Sequence, residues 1–431
     1  MKLLMLTPRF PYPPTRGDCL RSWGELELLS ESHDVWLACI DRSAPAPEHL
    51  AHVQRRCRGV AVAVRGGLMS MFFGGASLLR GGSLSAGYFG DGGLEQIVRR
   101  WSETVVFDAV LTVSSAMAPY AEWAGEARRV LDMNDVDSWK WNHFARLRKA
   151  PLSWLYKLEA RRLAALEERA LAGSDVCLVV NERERRKLVE RGHAARVVVS
   201  RTGVDLEYYG AVVDRTARAS QRADLTIGML GSMFYGPNVR AVSWFGKRVW
   251  PLVKRDVPRA RWLIVGNRPT RTVRRWGRAE GVTVTGFVPD VRPYLRETDV
   301  FVNAVHEEIG VQTKLIEALA AGKAAVVTPQ AAAGIDYAGD PPFVVAETPA
   351  EFVQAVRRLL HDGELAWELG LRARSAAVAK YRARDQVAQI ERFLRPHRAS
   401  TVLQQATADR AHGAALPAVM PQVDEQKAVR A

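Results

Sequence analysis

The sequence predicts an α/β protein of two doubly wound, parallel-sheet domains facing one another across a cleft. Three observations carry that prediction. Short Val/Leu/Ile/Ala runs recur along the chain, near-continuous and not alternating, as strands read when a parallel sheet is covered on both faces. Stretches of helical periodicity separate most of them. The alternation breaks once, over the polar and patternless residues 207–224, and then restarts.

Taken in order, the first half offers strands at 2–7, 35–40, 59–64, 109–113, 128–133, 175–180 and 196–200. A long basic amphipathic helix spans 151–172, with apolar residues at three-and-four spacing. After the break come strand 225–230, helix 238–254, strand 261–265, helix 272–280, and strands 282–285 and 299–303. A helix opening at Gly310, strand 324–328 and more helix from about 350 to 394 complete the pattern. The expected units are 1–210, 211–378, a helix at 379–396 packing back on the first domain, and a tail at 397–431. That tail is Ala/Gln/Arg-rich without lasting period, a composition that predicts disorder. No fixed-period repeat is visible.

Composition narrows the partners. Of 431 residues, 48% are hydrophobic and 25% charged, as in a soluble globular protein with room for two or three cores. The net charge of +14 and pI near 9.9 point to an anionic partner, although Arg-rich genomic composition explains part of it. Cys19, Cys39, Cys57 and Cys177 are scattered with no CxxC pair, which suggests neither a zinc site nor a disulfide framework and fits a reducing compartment. The opening MKLLMLTPRF holds an apolar run of only about six residues before prolines, too short for a secretory leader. The weakly polar stretch 66–90 is broken by glycines and Arg80, short of the roughly 20 apolar residues a membrane span requires.

Two open α/β domains in tandem place a ligand between the carboxyl ends of their sheets, so the loops there should carry the chemistry. The richest is HEEIGVQTKLIEALAAGKAAVVTP, residues 306–329. Gly310 opens a helix, Lys314 and Glu317 share one face of it, and Gly322 closes it. A glycine at a helix start admits a phosphate to the backbone N–H groups, where the dipole favours negative charge. The cation and carboxylate one turn further in suit a second phosphate and a sugar hydroxyl. The alternative is an ordinary βαβ connection with a surface Lys–Glu pair.

Other loops repeat the theme. After strand 2–7, PRFPYPPTRGDCLR brings Gly17 to a helix start, with Arg16 and Arg21 as sources of charge for an acceptor or phosphate. After strand 128–133, Asp135 and Asp137 stand two residues apart, a spacing that suits a general base or a metal. Asp137 or Ser138 equally suits a helix N-cap. Gly231 and Gly266 follow two strands of the second domain. Gly286 and Phe287 fall at a strand end, where a flat base edge could be read.

These residues resemble a known family. Leu230–Met233, Val265–Gly266, the stretch 282–295 (against VxxxGxVxDxxPYL) and the helix from Gly310 to Glu317 look like the signature of a GT-B fold glycosyltransferase, family 4. RFPYPPTRGD and DVDSWKW are similar to bacterial sugar transferases associated with exosortase and exopolysaccharide gene clusters. The resemblance covers about residues 1–395. It implies an acceptor domain followed by a nucleotide-sugar donor domain. It implies a nucleotide-diphosphate sugar as co-substrate, with no cofactor. The acceptor it implies is polyprenyl-diphosphate-linked, at the inner face of the cytoplasmic membrane. Glu317 matches the second Glu of E-x7-E, which holds the donor ribose. Gly310 would face the donor diphosphate or sugar, and Gly17 the donor phosphate. Asp135 matches the Asp of a His-Asp pair that reads Asn134-Asp135 here, so the implied base is Asp135, with Asp137 second.

Two departures stand out. The first Glu of E-x7-E falls at Ile309, with Glu307 and Glu308 out of register, and the Arg and Lys usual in the Gly231–Gly236 loop are absent. Lys314 is the substitute, reaching the diphosphate from the helix. A leaving diphosphate can be stabilised by helix N-termini and one or two cations, so transfer without a metal is expected. A Rossmann dehydrogenase is disfavoured because no GxGxxG follows the first strand. A nucleic-acid binder is disfavoured because the Arg residues spread over both domains. A non-catalytic nucleotide-sugar-binding protein stays open because of Ile309. Arg65, Arg80, residues 68–73 and Tyr88-Phe89 are the candidate membrane patch.

Overall fold

A computed structural model describes residues 1–14, 17–213, 225–307 and 310–395. Arg16, Glu308, Ile309, most of the 207–224 stretch and the 397–431 tail therefore lie outside the described residues.

The first sheet has seven parallel strands in the order β3-β2-β1-β4-β5-β6-β7. They are β1 (Lys2–Thr7), β2 (Asp34–Asp41), β3 (Gly59–Val64), β4 (Ala109–Val113), β5 (Arg128–Asn134), β6 (Val176–Val179) and β7 (Val197–Val199). The second sheet runs β10-β9-β8-β11-β12-β13, again parallel. Its strands are β8 (Leu225–Leu230), β9 (Ala260–Val265), β10 (Val282–Val284), β11 (Val300–Asn303), β12 (Ala324–Val327) and β13 (Val344–Val345). The central strands are largely apolar because helices cover both faces: Leu3 to Leu6 are fully buried, as are Ala325 to Val327. Strand order reverses between β1 and β4 and again between β8 and β11. Loops leaving the carboxyl ends there diverge to opposite faces and leave a crevice.

The expected strands agree with the structure to within one or two residues, and the differences have local causes. The 238–254 helix is two, Gly236–Arg248 and Trp250–Asp256. Pro251 has no N–H to donate to the preceding turn, and the chain re-aims at Val249. β13 is only two residues long, too short to register as a run. The helix expected to open at Gly310 begins at Thr313; Gly310 instead sits in a left-handed turn (φ 53°) before it. The 66–90 stretch folds into helices Gly67–Leu79 and Leu84–Phe89. They pack so closely that a Cβ on Gly87 would lie 2.4 Å from the Phe73 carbonyl oxygen. No described helix is long and apolar enough to cross a membrane.

The chain ends its described course back on the first domain. Helix Ala383–Leu394 places Val387, Ile390 and Leu394 in the core that contains Leu3, Leu37 and Leu111.

Arg21 requires a correction. The charge pattern predicts it at the anion site, yet it is 4% exposed and turned inward. Its Nε lies 2.7 Å from Asp132 Oδ2 and 2.9 Å from Glu25 Oε1, and Nη1 donates to the Ser200 carbonyl at 3.0 Å. Arg21 ties helix Gly17–Leu29 to β5 and to the segment just after β7. Burial pushes the Glu25 carboxyl up to about 8, against the opposing pull of Arg21. Arg21→Met would leave Asp132 buried and uncompensated. It should cost about 3–5 kcal/mol, read as a lower urea midpoint; an unchanged midpoint would contradict this role.

Candidate active site

A cleft of about 1440 Å³ separates the two carboxyl edges, lined from both domains. It contains Gly17 and Asp135 from the first sheet's loops, and Gly231, Gly266, Phe287, Gly310, Lys314 and Glu317 from the second. Asp137 does not line it.

On the second domain, Gly231 and Gly266 have φ of 146° and 152°, and a Cβ at Gly266 would collide with the Gly231 carbonyl. The two loops therefore stack backbone on backbone, with Lys314 laid against Gly231. The Lys314 ammonium donates to Asn238 Oδ1, while Asn238 Nδ2 donates to the Ser232 carbonyl at 3.1 Å. Asn238 thus fixes both the glycine loop and the cation. Burial lowers Lys314 to about 8, opposed by the charges of Glu307 and Glu317. Burial raises Glu317 to about 7, opposed by a hydrogen bond from Tyr209 and the charge of Lys314. Phe287, 63% exposed, presents its ring to the cleft beyond Gly286, whose φ is 76°.

On the first domain, Asn134 takes a left-handed conformation (φ 59°) at the end of β5 and turns the chain so that Asp135 faces the cleft. The Asp135 carboxylate crosses the gap: a Cβ on Gly310 would sit 2.6 Å from its Oδ2. Only glycine leaves room there. Burial pushes Asp135 up to about 6, with Lys140 opposing and Glu184 and Asp137 adding to the rise. Asp137 is held by Lys140, its Oδ1 2.5 Å from Nζ. That pairing removes the second-choice base from the cleft and leaves Asp137 to orient Lys140, which does line it. Gly17 faces Thr313 at the start of helix Thr313–Ala320, its hypothetical Cβ 3.3 Å from Thr313 Oγ1.

Several residues here carry no local signal in the sequence. Arg183 Nη2 donates to the Gly310 carbonyl at 3.1 Å, and Asn181 Nδ2 to the Gly334 carbonyl at 3.3 Å. Arg201 Nε pairs with Asp336 at 2.9 Å. These first-domain side chains grip the loops around the second domain's helix Thr313–Ala320 from across the gap. Glu307, the near neighbour of the missing first Glu, is ion-paired to Arg240. Among the described residues no group of three or more His, Cys, Asp or Glu is placed to hold a metal ion.

The two-domain fold is shared with solved structures. Sucrose-phosphate synthase from Thermosynechococcus elongatus superposes with a TM-score of 0.67 at 12% identity, over 95% of this chain and 100% of that one. HepE from Anabaena, in complex with UDP and glucose, superposes at 0.61 and 14% identity, over 91% and 99%. A UDP-forming α,α-trehalose-phosphate synthase from Burkholderia vietnamiensis gives 0.60 and 11%, over 91% and 99%. The fold is GT-B. Within this GT-B chain, residues 224–362 match the family model described as glycosyl transferases group 1. The matched span takes in the whole second sheet together with Lys314 and Glu317. No curated protein matches the sequence.

Proposed function

We propose that the protein is a family 4-type glycosyltransferase that moves a sugar from a nucleotide-diphosphate donor to a polyprenyl-diphosphate-linked saccharide. We place it in exopolysaccharide or cell-surface glycan synthesis, at the inner face of a cytoplasmic membrane. The observation that carries this reading is the meeting of Asp135 with Gly310, beside Lys314 and Glu317, at the facing edges of two sheets. A carboxylate from one domain meets a backbone turn of the other, and a cation and a second carboxylate line the same cleft. The group 1 match over the second domain and the UDP complex named for the HepE structure support a nucleotide-sugar donor there.

In this reading the Glu317 carboxylate accepts from the ribose hydroxyls and Phe287 flanks the base. Lys314 and the turn before Thr313 take the diphosphate. Gly17, opposite Thr313, lets that anion approach closely. Breaking the glycosidic bond puts charge on the leaving diphosphate, and Lys314 meets it without a resident metal. Asp135 takes the proton from the acceptor hydroxyl.

The pH dependence follows with its sign. Asp135 accepts a proton only above about 6, and Lys314 keeps its charge only below about 8. kcat/KM should therefore rise as Asp135 and then Glu317 ionise, from about 6 to about 7, and fall through about 8. A profile flat across both contradicts the two assignments.

The reading is tested by incubating the full chain with a panel of nucleotide sugars and a lipid-linked acceptor. Acceptor-dependent release of nucleoside diphosphate is expected. Donor binding without release would favour a non-catalytic nucleotide-sugar-binding protein.

A further inference from the structure

The first domain carries a second feature with no role in the cleft itself. Helix Gly67–Leu79 buries only Ser70 and Gly74, while Leu68 is 88% exposed, Met71 67%, Phe72 70% and Leu79 91%. Water-exposed apolar side chains at this density on one helix mark an interaction surface. The helix is firmly seated through its neighbour. Leu84–Phe89 packs beneath it, and the Glu159 carboxylate accepts from Leu84 N at 2.6 Å and Ser85 N at 2.9 Å. Glu159 belongs to helix Leu152–Ala172, whose first turns expose Leu152, Trp154, Leu155 and Leu158. Gly81, just past the first helix, lies beside the Arg162 guanidinium, one turn beyond Leu158 on the second.

Charge decides what fits there. Between Arg65 and Gly90 the sequence has no Asp or Glu, and between Ser138 and Leu166 the only acid is Glu159, which is buried and engaged in capping. Arg80, Arg146, Arg148, Lys149, Lys157 and Arg162 are all exposed. Apolar side chains fringed by cations, with no acid among them, complement an anionic bilayer: the former enter the acyl boundary and the latter meet the phosphates. The patch also adjoins the cleft. Arg9, which lines the cleft, lies 5.8 Å from the Phe89 ring centroid, and Phe89 ends the helix beneath the patch.

We propose that helix Gly67–Leu79 and the first turns of helix Leu152–Ala172 dock the protein on an anionic lipid bilayer, with the cleft mouth beside the membrane. The inference deepens the reading of a lipid-linked acceptor and rests on it for the acceptor's route. Vesicle binding itself is measured without any sugar.

The test is flotation of the full chain with vesicles of phosphatidylcholine alone or mixed with phosphatidylglycerol. Wild type should float with the mixed vesicles, less so as salt rises. The Leu68→Ser/Phe72→Ser/Leu79→Ser variant should bind at least roughly tenfold more weakly with unchanged melting, because all three side chains already face water. Arg148→Glu/Lys149→Glu/Lys157→Glu should abolish the preference for phosphatidylglycerol. No flotation of wild type, or equal flotation of the triple serine variant, overturns the proposal. So does a dimer in light scattering that the serine variant dissolves without vesicle binding. Turnover on a detergent-solubilised acceptor separates the two readings. Turnover without docking removes only the surface, and docking without turnover removes only the enzyme.

Discussion

Replacing Asp135 by Asn is expected to lower kcat by roughly 10²–10⁴-fold while leaving nucleotide binding within about threefold. The substitution keeps shape and removes only the capacity to take a proton. Asp135 is suited to that task by its setting: burial raises it to about 6, so at neutral pH it is ionised yet basic enough to accept. Its place against Gly310 brings it across the cleft to the loop that precedes Lys314 and Glu317. Asp137→Asn should act differently. It frees Lys140 from its 2.5 Å partner and changes orientation more than proton transfer, so its effect should be well below that of Asp135→Asn. Loss of donor binding in Asp135→Asn, or near-normal turnover, would remove the base assignment.

Lys314→Met is expected to cost about 10²–10³-fold in kcat, with weaker donor binding besides. Lys314, in the first turn of helix Thr313–Ala320, lines the cleft together with the candidates Gly231, Gly310 and Glu317. Arg240, on the helix after the glycine loop, is paired with Glu307. Methionine fills the space against Gly231 but leaves the Asn238 carbonyl oxygen without its donor, so some of the loss will come through the glycine loop. Lys314→Arg is a useful companion. It keeps the charge, and partial recovery would assign the effect to charge and not to packing.

The fold was legible because buried parallel strands must be continuously apolar: β1, β3, β4 and β8 stand at the very residues their composition marks. Much of the site was legible for a related reason. Glycines that end a strand or precede a helix, such as Gly17, Gly231, Gly266 and Gly310, are local requirements of close backbone approach, and all four line the cleft. Direction was not legible. Arg21 lies one helical turn past Gly17, yet its position on the helix faces β5 and Asp132 and not the anion site. Charge alone does not say which way a side chain points. Asp137 likewise turns to Lys140, three residues on. Tyr209, Asn181 and Arg183 leave no local trace, because their partners Glu317, Gly334 and Gly310 lie over a hundred residues away in sequence, the last two across the domain gap.

Whether helix Thr313–Ala320 clamps the nucleotide is decided by calorimetric titration of uridine, guanosine and adenosine diphosphates. One of them should bind wild type at a single site. Lys314→Met and Glu317→Gln should each weaken it at least about tenfold, equivalent to roughly 1.4 kcal/mol, while Arg148→Glu on the distant surface leaves it unchanged. Binding of equal strength in all four proteins, or none in any, would contradict the clamp.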